Sequence, residues 1–298
     1  MIADAPIDDE GWVDLCSDAV FHPVFGSDDS KPCLKGLLNP ILREAGELET
    51  VDLTYKNPFQ FKEVKEARES IMDIFVEDSA GKRYNVEMQT HDHRGFTKRS
   101  ILYPMRAFVE QYANGSDYDD IKPVLGVDLV RFPIFSKKPN VWFEFWRPTG
   151  VRTGDVLPLW GLIRVRVPFP GETPEGIEDE ELRNWLMVLG NYSRMSKAER
   201  DYYETITPGF KEARKKLNAY TSEERRLLQL AAVEREMTRK AIAADARDEG
   251  RDEGRDEAYG SVIRNMLRMG GFTLDKIAEI VGIPVAQVED LANKTSLA

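Results

Sequence analysis

Apolar residues change their spacing several times along the chain, and each change marks an element. Leu34, Leu37, Leu38, Ile41 and Leu42 recur at helical intervals within 11–50, with Pro32 near the start; Gly36 and Pro40 interrupt that helical entry. From Ser70 the pattern becomes short runs rich in Ile, Phe and Val, Ser70–Glu77 and Arg83–Thr90, separated by Asp78-Ser79-Ala80-Gly81-Lys82. That is a hairpin signal. A three-residue loop, Ser79-Ala80-Gly81, with glycine in the left-handed region would pair Asp78 with Lys82 and fix the register of both strands. A further strand is expected around Glu49–Tyr55. A helix follows over Phe96–Tyr112, and Ile121–Phe135 contains an apolar run, Val124–Val130, suited to a buried strand. Strand, helix, strand in this order implies a parallel crossover and a mixed α/β core.

Beyond that core, spanning 11–140, the aromatic stretch Val141–Phe169 predicts more sheet packed on the first unit, within a β-rich segment 141–177. Residues 178–244 read as helical, with long helices over Tyr202–Lys216 and Ser222–Ala244. In 245–260 the Arg-Asp-Glu-Gly repeat carries three arginines against seven acids through Glu257, which fits a solvated charged connector. In the last segment, 261–298, Ala278, Gly282 and Val288 have helix-turn-helix spacing, with helices over Leu274–Val281 and Val285–Ala292. The second helix offers Gln287, Glu289 and Asp290 but little positive charge, so packing or self-association fits it better than phosphate contact.

A length of 298 residues and 42% hydrophobic composition fit a folded chain of two domains or one elaborated domain. Cys16 and Cys33 have neither a disulfide framework nor zinc-ligand spacing, and no apolar stretch is long enough to span a bilayer. A cytoplasmic location with reduced thiols is therefore expected. The net charge of −11 argues against bulk attraction to nucleic acid, but residues 1–60 hold twelve acids against four bases, leaving room for a basic inner surface.

The residues that point to chemistry are Asp73, Glu87 and Gln89. Glu87 and Gln89 share a strand face, and counting back from Asp78 opposite Lys82 sets Asp73 opposite Glu87. Two carboxylates and a carboxamide would meet on one side of the ribbon. Crowded carboxylates favour a cation between them, and an all-oxygen set suits Mg2+ (or Mn2+), which can serve phosphodiester cleavage. The same spacing also fits a solvated acidic sheet face paired with nearby lysines or arginines.

An ordered series of residues then narrows the choice. It runs through Asp18, Phe21, Phe25-Gly26, Leu37-Leu38-Asn39-Pro40-Ile41-Leu42, Met72-Asp73-Ile74, Gly81, Val86-Glu87-Met88-Gln89, Arg99, Tyr103, Gly115, Tyr118 and Pro123-Val124. Over about 18–135 this series resembles the PD-(D/E)xK nuclease superfamily, in the branch of nuclease family transposases related to the recombination-promoting nucleases. The resemblance implies a restriction-endonuclease-like core, a mixed central sheet flanked by helices, followed by a helical C-terminal region. It implies that Asp73 and Glu87 are metal ligands and that Gln89 stands where the superfamily has lysine; a carboxamide can orient water or a phosphate oxygen but brings no charge. Arg99 and Tyr103, one helical turn apart, would contact phosphate or brace the site, or alternatively pack at the core edge with a salt bridge.

Three departures stand out. His22 occupies a place where the family often has lysine, Pro104 interrupts a helix, and His91 and His93 follow the Glu87 strand as loop or strand-end residues. The implied function is a Mg2+-dependent DNA endonuclease linked to recombination or mobile elements, without the extra machinery that strand transfer needs. A homodimer would let two sites act on two strands. The competing expectation is a nuclease-like protein with weak or no catalysis that binds DNA or another protein.

Overall fold

In a computed structural model the described residues are 13–56, 74–92, 95–113, 117–135, 137–234, 237, 259–264, 266–268 and 273–293. The chain divides into two compact units, 1–232 and 233–298. In the first, α1 (Asp18–Phe25) and α2 (Lys31–Glu44) precede the strands β1 (Leu53–Tyr55), β2 (Ile74–Asp78) and β3 (Arg83–Gln89). Then come α3 (Phe96–Ala113), β4 (Val124–Val130), β5 (Phe143–Trp146), β6 (Trp160–Arg166), α4 (Glu180–Asn191), α5 (Lys197–Ile206) and α6 (Phe210–Ala219). The strands form one mixed sheet in the order β1-β2-β3-β4-β6-β5, parallel between β3, β4 and β6 and antiparallel elsewhere.

The hairpin register follows from its turn. The Asp78 N–H donates to the Lys82 carbonyl at 2.9 Å, and Gly81 has φ +82°, a left-handed value that side chains with a Cβ rarely adopt. The pairs Glu77↔Arg83, Val76↔Tyr84, Phe75↔Asn85 and Ile74↔Val86 continue that count. From Gln89 the chain crosses over through α3 and returns as β4, a parallel neighbour of β3. The 141–177 segment supplies β5 and β6, which extend this same sheet through hydrogen bonds rather than lying against it.

Strand alternation sorts the side chains. Ile74, Val76, Tyr84, Val86, Met88, Leu125, Val127, Leu129, Ile163 and Val165 belong to one apolar core with residues of α1, α2, α4 and α6. Trp185 of α4 is fully buried there, against Phe25 and Phe210, and its indole N–H donates to the Pro208 carbonyl at 3.1 Å. The opposite face is covered by α3, which packs on β4 and β6. Its approach is close because Gly126 lacks a Cβ: one built there would meet Pro104 Cγ at 2.9 Å and Leu162 Cδ1 at 2.8 Å.

Two helix expectations change. α3 runs through Pro104 without a break, the ring of that proline seating on Gly126. The helix expected over Tyr202–Lys216 is instead two, α5 and α6, separated by Thr207-Pro208-Gly209; a proline in a helix interior lacks the N–H donor and clashes with the preceding turn. Helical backbone follows over 222–234. The Arg-Asp-Glu-Gly repeat through Glu257 lies outside the described residues. In the second unit, the helices Leu274–Val281 and Val285–Asn293 flank Gly282 at φ +74°, and Ile263, Ile277, Ala278, Val288 and Leu291 form their core.

Candidate active site

The face beneath α3 is where charged residues enter the sheet. Asn85, Glu87 and Gln89 alternate onto it from β3 and are all buried. The parallel register sets Glu87 beside Asp128 of β4, Asp128 beside Arg164 of β6, and Arg164 beside Glu144 of β5. Side chains on directly paired positions share a face, so this row crosses four strands. On β4, Asp128 is the single polar residue of an otherwise apolar strand.

Asp128 and Arg164 are 1% and 5% exposed, and their contacts are specific. Arg164 Nε and Nη2 both donate to Asp128 Oδ2, at 3.1 and 2.9 Å, and Nη2 also donates to Ser100 Oγ of α3 at 3.0 Å. The guanidinium lies 5.0 Å from the Phe96 ring centroid and 5.7 Å from that of Trp146. Asp128 Oδ1 accepts no hydrogen bond. Burial pushes the Asp128 carboxyl above the ordinary carboxylate range, against the opposing pull of Arg164.

At the end of β3, the Gln89 carboxamide is held from both sides. Its Nε2 donates to the His91 carbonyl at 3.1 Å, and its Oε1 accepts from Arg99 Nη2 at 3.2 Å. Arg99 reaches it from the first turns of α3 and also lies 5.7 Å from the Phe96 ring. Tyr103, one turn further, is buried with Phe75, Ala107 and Val124. Thus Glu87, Gln89 and Arg99 gather at one place, whereas Tyr103 packs in an apolar cluster beside it. Asp73 lies outside the described residues, as does His93; His91 is exposed at the strand end, beside the Thr90 hydroxyl. Among the described residues no three His, Cys, Asp or Glu side chains form a metal cage.

The family model described as PD-(D/E)XK nuclease family transposase matches residues 15–245, most of the chain. The chain belongs to that family. Its extent takes in not only the hairpin and α3 but also β5, β6 and the helices α4 to α6, so the region 141–245 is part of the family unit. No curated protein and no solved structure matches the chain. PD-(D/E)XK nucleases generally use divalent metals, and membership carries a nuclease-like function with DNA as the substrate it suggests. No helix among the described residues is long and apolar enough to cross a membrane.

Asp128 and Arg164 are the site-face residues that sequence reasoning passed over. Their signal was present: a single aspartate inside the apolar run Val124–Val130, and Arg-Val-Arg inside Gly161–Val167. Charges in strands buried on both faces require partners. What the sequence lacked was the neighbour relation, since β6 pairs with β4 across an intervening strand in the chain.

Proposed function

We propose that this chain is a metal-dependent DNA endonuclease, with Mg2+ or Mn2+ held by Asp73 and Glu87. The observation that carries the reading is a buried Glu87 sharing one strand face with Gln89, in a hairpin whose register through Ile74↔Val86 follows the turn; the sequence count alone sets Asp73 opposite Glu87. Carboxylate oxygens are the donor set a hard divalent cation takes, and Asp128 Oδ1, at the position paired with Glu87, is a buried carboxylate oxygen that accepts no hydrogen bond. A cation bound there would polarise a phosphate and acidify a water molecule.

The chain's own groups then divide the work. Gln89, fixed by Arg99 and the His91 carbonyl, orients the attacking water or a phosphate oxygen. Arg99 brings to that position the positive charge that a carboxamide lacks, stabilising the phosphate as charge builds on it. Water adds to phosphorus, the bond to the bridging oxygen breaks, and the released oxygen takes up a proton. No covalent enzyme intermediate is needed; transposition in the strict sense would add strand transfer, in which a DNA hydroxyl replaces water as the nucleophile and the DNA ends must be held together.

The test is plasmid cleavage by the purified chain with Mg2+, Mn2+, Ca2+ or EDTA, beside an Asp73→Ala/Glu87→Ala double variant. Metal-dependent nicking or linearisation that the variant loses is the expected result. Equal background from both proteins under every metal would instead support a nuclease-like binding protein.

A further inference from the structure

We propose that Asp128 is a third carboxylate of the metal site, offering Oδ1 to the cation while Arg164 holds Oδ2. The proposal rests on the endonuclease reading and extends it to a residue on β4. Glu87 and Asp128 are paired positions on adjacent parallel strands, which lie about 4.8 Å apart, so their side chains rise from the same face within reach of one ion.

The two oxygens of Asp128 are used unequally. Both hydrogen bonds from Arg164 converge on Oδ2, and Arg164 comes from β6, the strand on the far side of β4 from Glu87. The other oxygen, Oδ1, is buried and accepts no hydrogen bond, and the neighbouring strand on the side away from β6 carries Glu87 at the paired position. A buried carboxylate oxygen without a partner is costly, and more so beside a second carboxylate. A cation shared with Glu87 removes that cost.

Arg164 Nε and Nη2 are both engaged. Ser100 takes Nη2, and the rings of Phe96 and Trp146 flank the guanidinium, so it cannot swing across to serve the other oxygen without giving up these contacts. The pair therefore orients the carboxylate rather than quenching it, as hydrogen bonds to the far oxygen of a metal-bound carboxylate commonly do.

The experiment titrates the full chain with Mn2+ and follows the free ion by electron paramagnetic resonance, with circular dichroism to establish folding. Wild type, Glu87→Gln and Asp128→Asn are compared. The expected result is Mn2+ binding in wild type that weakens about tenfold or more in each variant. If Glu87→Gln weakens binding and Asp128→Asn binds as wild type does, the proposal is overturned while the endonuclease reading stands. Binding weakened by Asp128→Asn alone would put the ion elsewhere and overturn a shared site. Wild type that binds no Mn2+ removes the reading and the proposal together.

Should Asp128→Asn fail to fold, with Arg164 left without its counter-ion, the double variant Asp128→Asn/Arg164→Gln removes both buried charges. Losing a nearby positive charge by itself favours cation binding. Weaker Mn2+ binding by the double variant would therefore be assigned to the lost carboxylate, and unchanged or tighter binding would overturn the proposal.

Discussion

The two faces of the sheet come from the same strands and solve opposite problems. On one, residues such as Val86, Val127 and Ile163 meet α1, α2, α4 and α6 in a continuous apolar core, where stability grows with the area removed from water. On the other, the same strands present Glu87, Asp128 and Arg164 to one helix, and the apolar contacts are confined to two small clusters, around Tyr103 and around Phe96. Burial of ionised groups brings little net stability even when they are paired. The broad core therefore holds the sheet, and the narrow α3 face is left free to carry groups chosen for chemistry.

The sharpest way to break this division is to cut into the apolar side. Trp185→Ala removes a fully buried indole lodged between Phe25 and Phe210 and deletes its hydrogen bond to the Pro208 carbonyl. A loss of about 3–5 kcal/mol is expected, read from the shift in urea midpoint at unchanged slope. A loss below about 1 kcal/mol would mean that the stability is held elsewhere, and the contrast between the faces would fall.

The next largest effect belongs to the α3 side. Gly126→Ala places a methyl group where Pro104 Cγ and Leu162 Cδ1 stand under 3 Å away, so α3 must lift or β6 must shift. Overpacking of this kind costs about 1–3 kcal/mol. Because α3 also carries Arg99 to Gln89 and Ser100 to Arg164, DNA cleavage should fall by more than the fraction unfolded accounts for. Equal losses in stability and cleavage would show that the position of α3 is unimportant to the site.

Legibility in the sequence follows the range over which each feature is decided. The β2–β3 register was readable because a local turn sets it, and β4 was readable because a strand covered on both faces becomes an unbroken apolar run. Gln89 and Arg99 were both named, but their contact depends on how α3 seats over Gly126, which no local spacing encodes. Likewise Asp128 announced a partner without naming it, since Arg164 arrives from a strand beyond β5. The single helix expected over Tyr202–Lys216 gave too little weight to Pro208, whereas Pro104, read as a break, is tolerated where the ring fills space against a glycine.

The smallest effect comes from the helices behind the apolar face, where local hydrogen bonding adds to a layer already held by its core. Ser196 caps α5: its hydroxyl accepts from the Glu199 N–H, and the Glu199 carboxylate accepts from the Ser196 N–H at 2.7 Å, a reciprocal capping box. Ser196→Ala should cost about 1 kcal/mol, and cleavage at a saturating metal concentration should not change. The hydrogen bond from the Ser196 backbone, followed by that from its hydroxyl, holds the Glu199 carboxyl below its ordinary range. A carboxyl lowered on folding stabilises the native state above its unfolded-state value, and that contribution is lost as pH falls through the folded-state value. The stability gap between wild type and Ser196→Ala should therefore narrow in acid without closing, because the hydroxyl still accepts from the Glu199 N–H after the carboxyl is protonated. A gap constant from neutral to acid pH would show that the hydrogen bond from the Ser196 hydroxyl to the Glu199 carboxylate contributes nothing, and a gap as large as that of Trp185→Ala would overturn the view that the apolar core alone sets the scale of stability on this side.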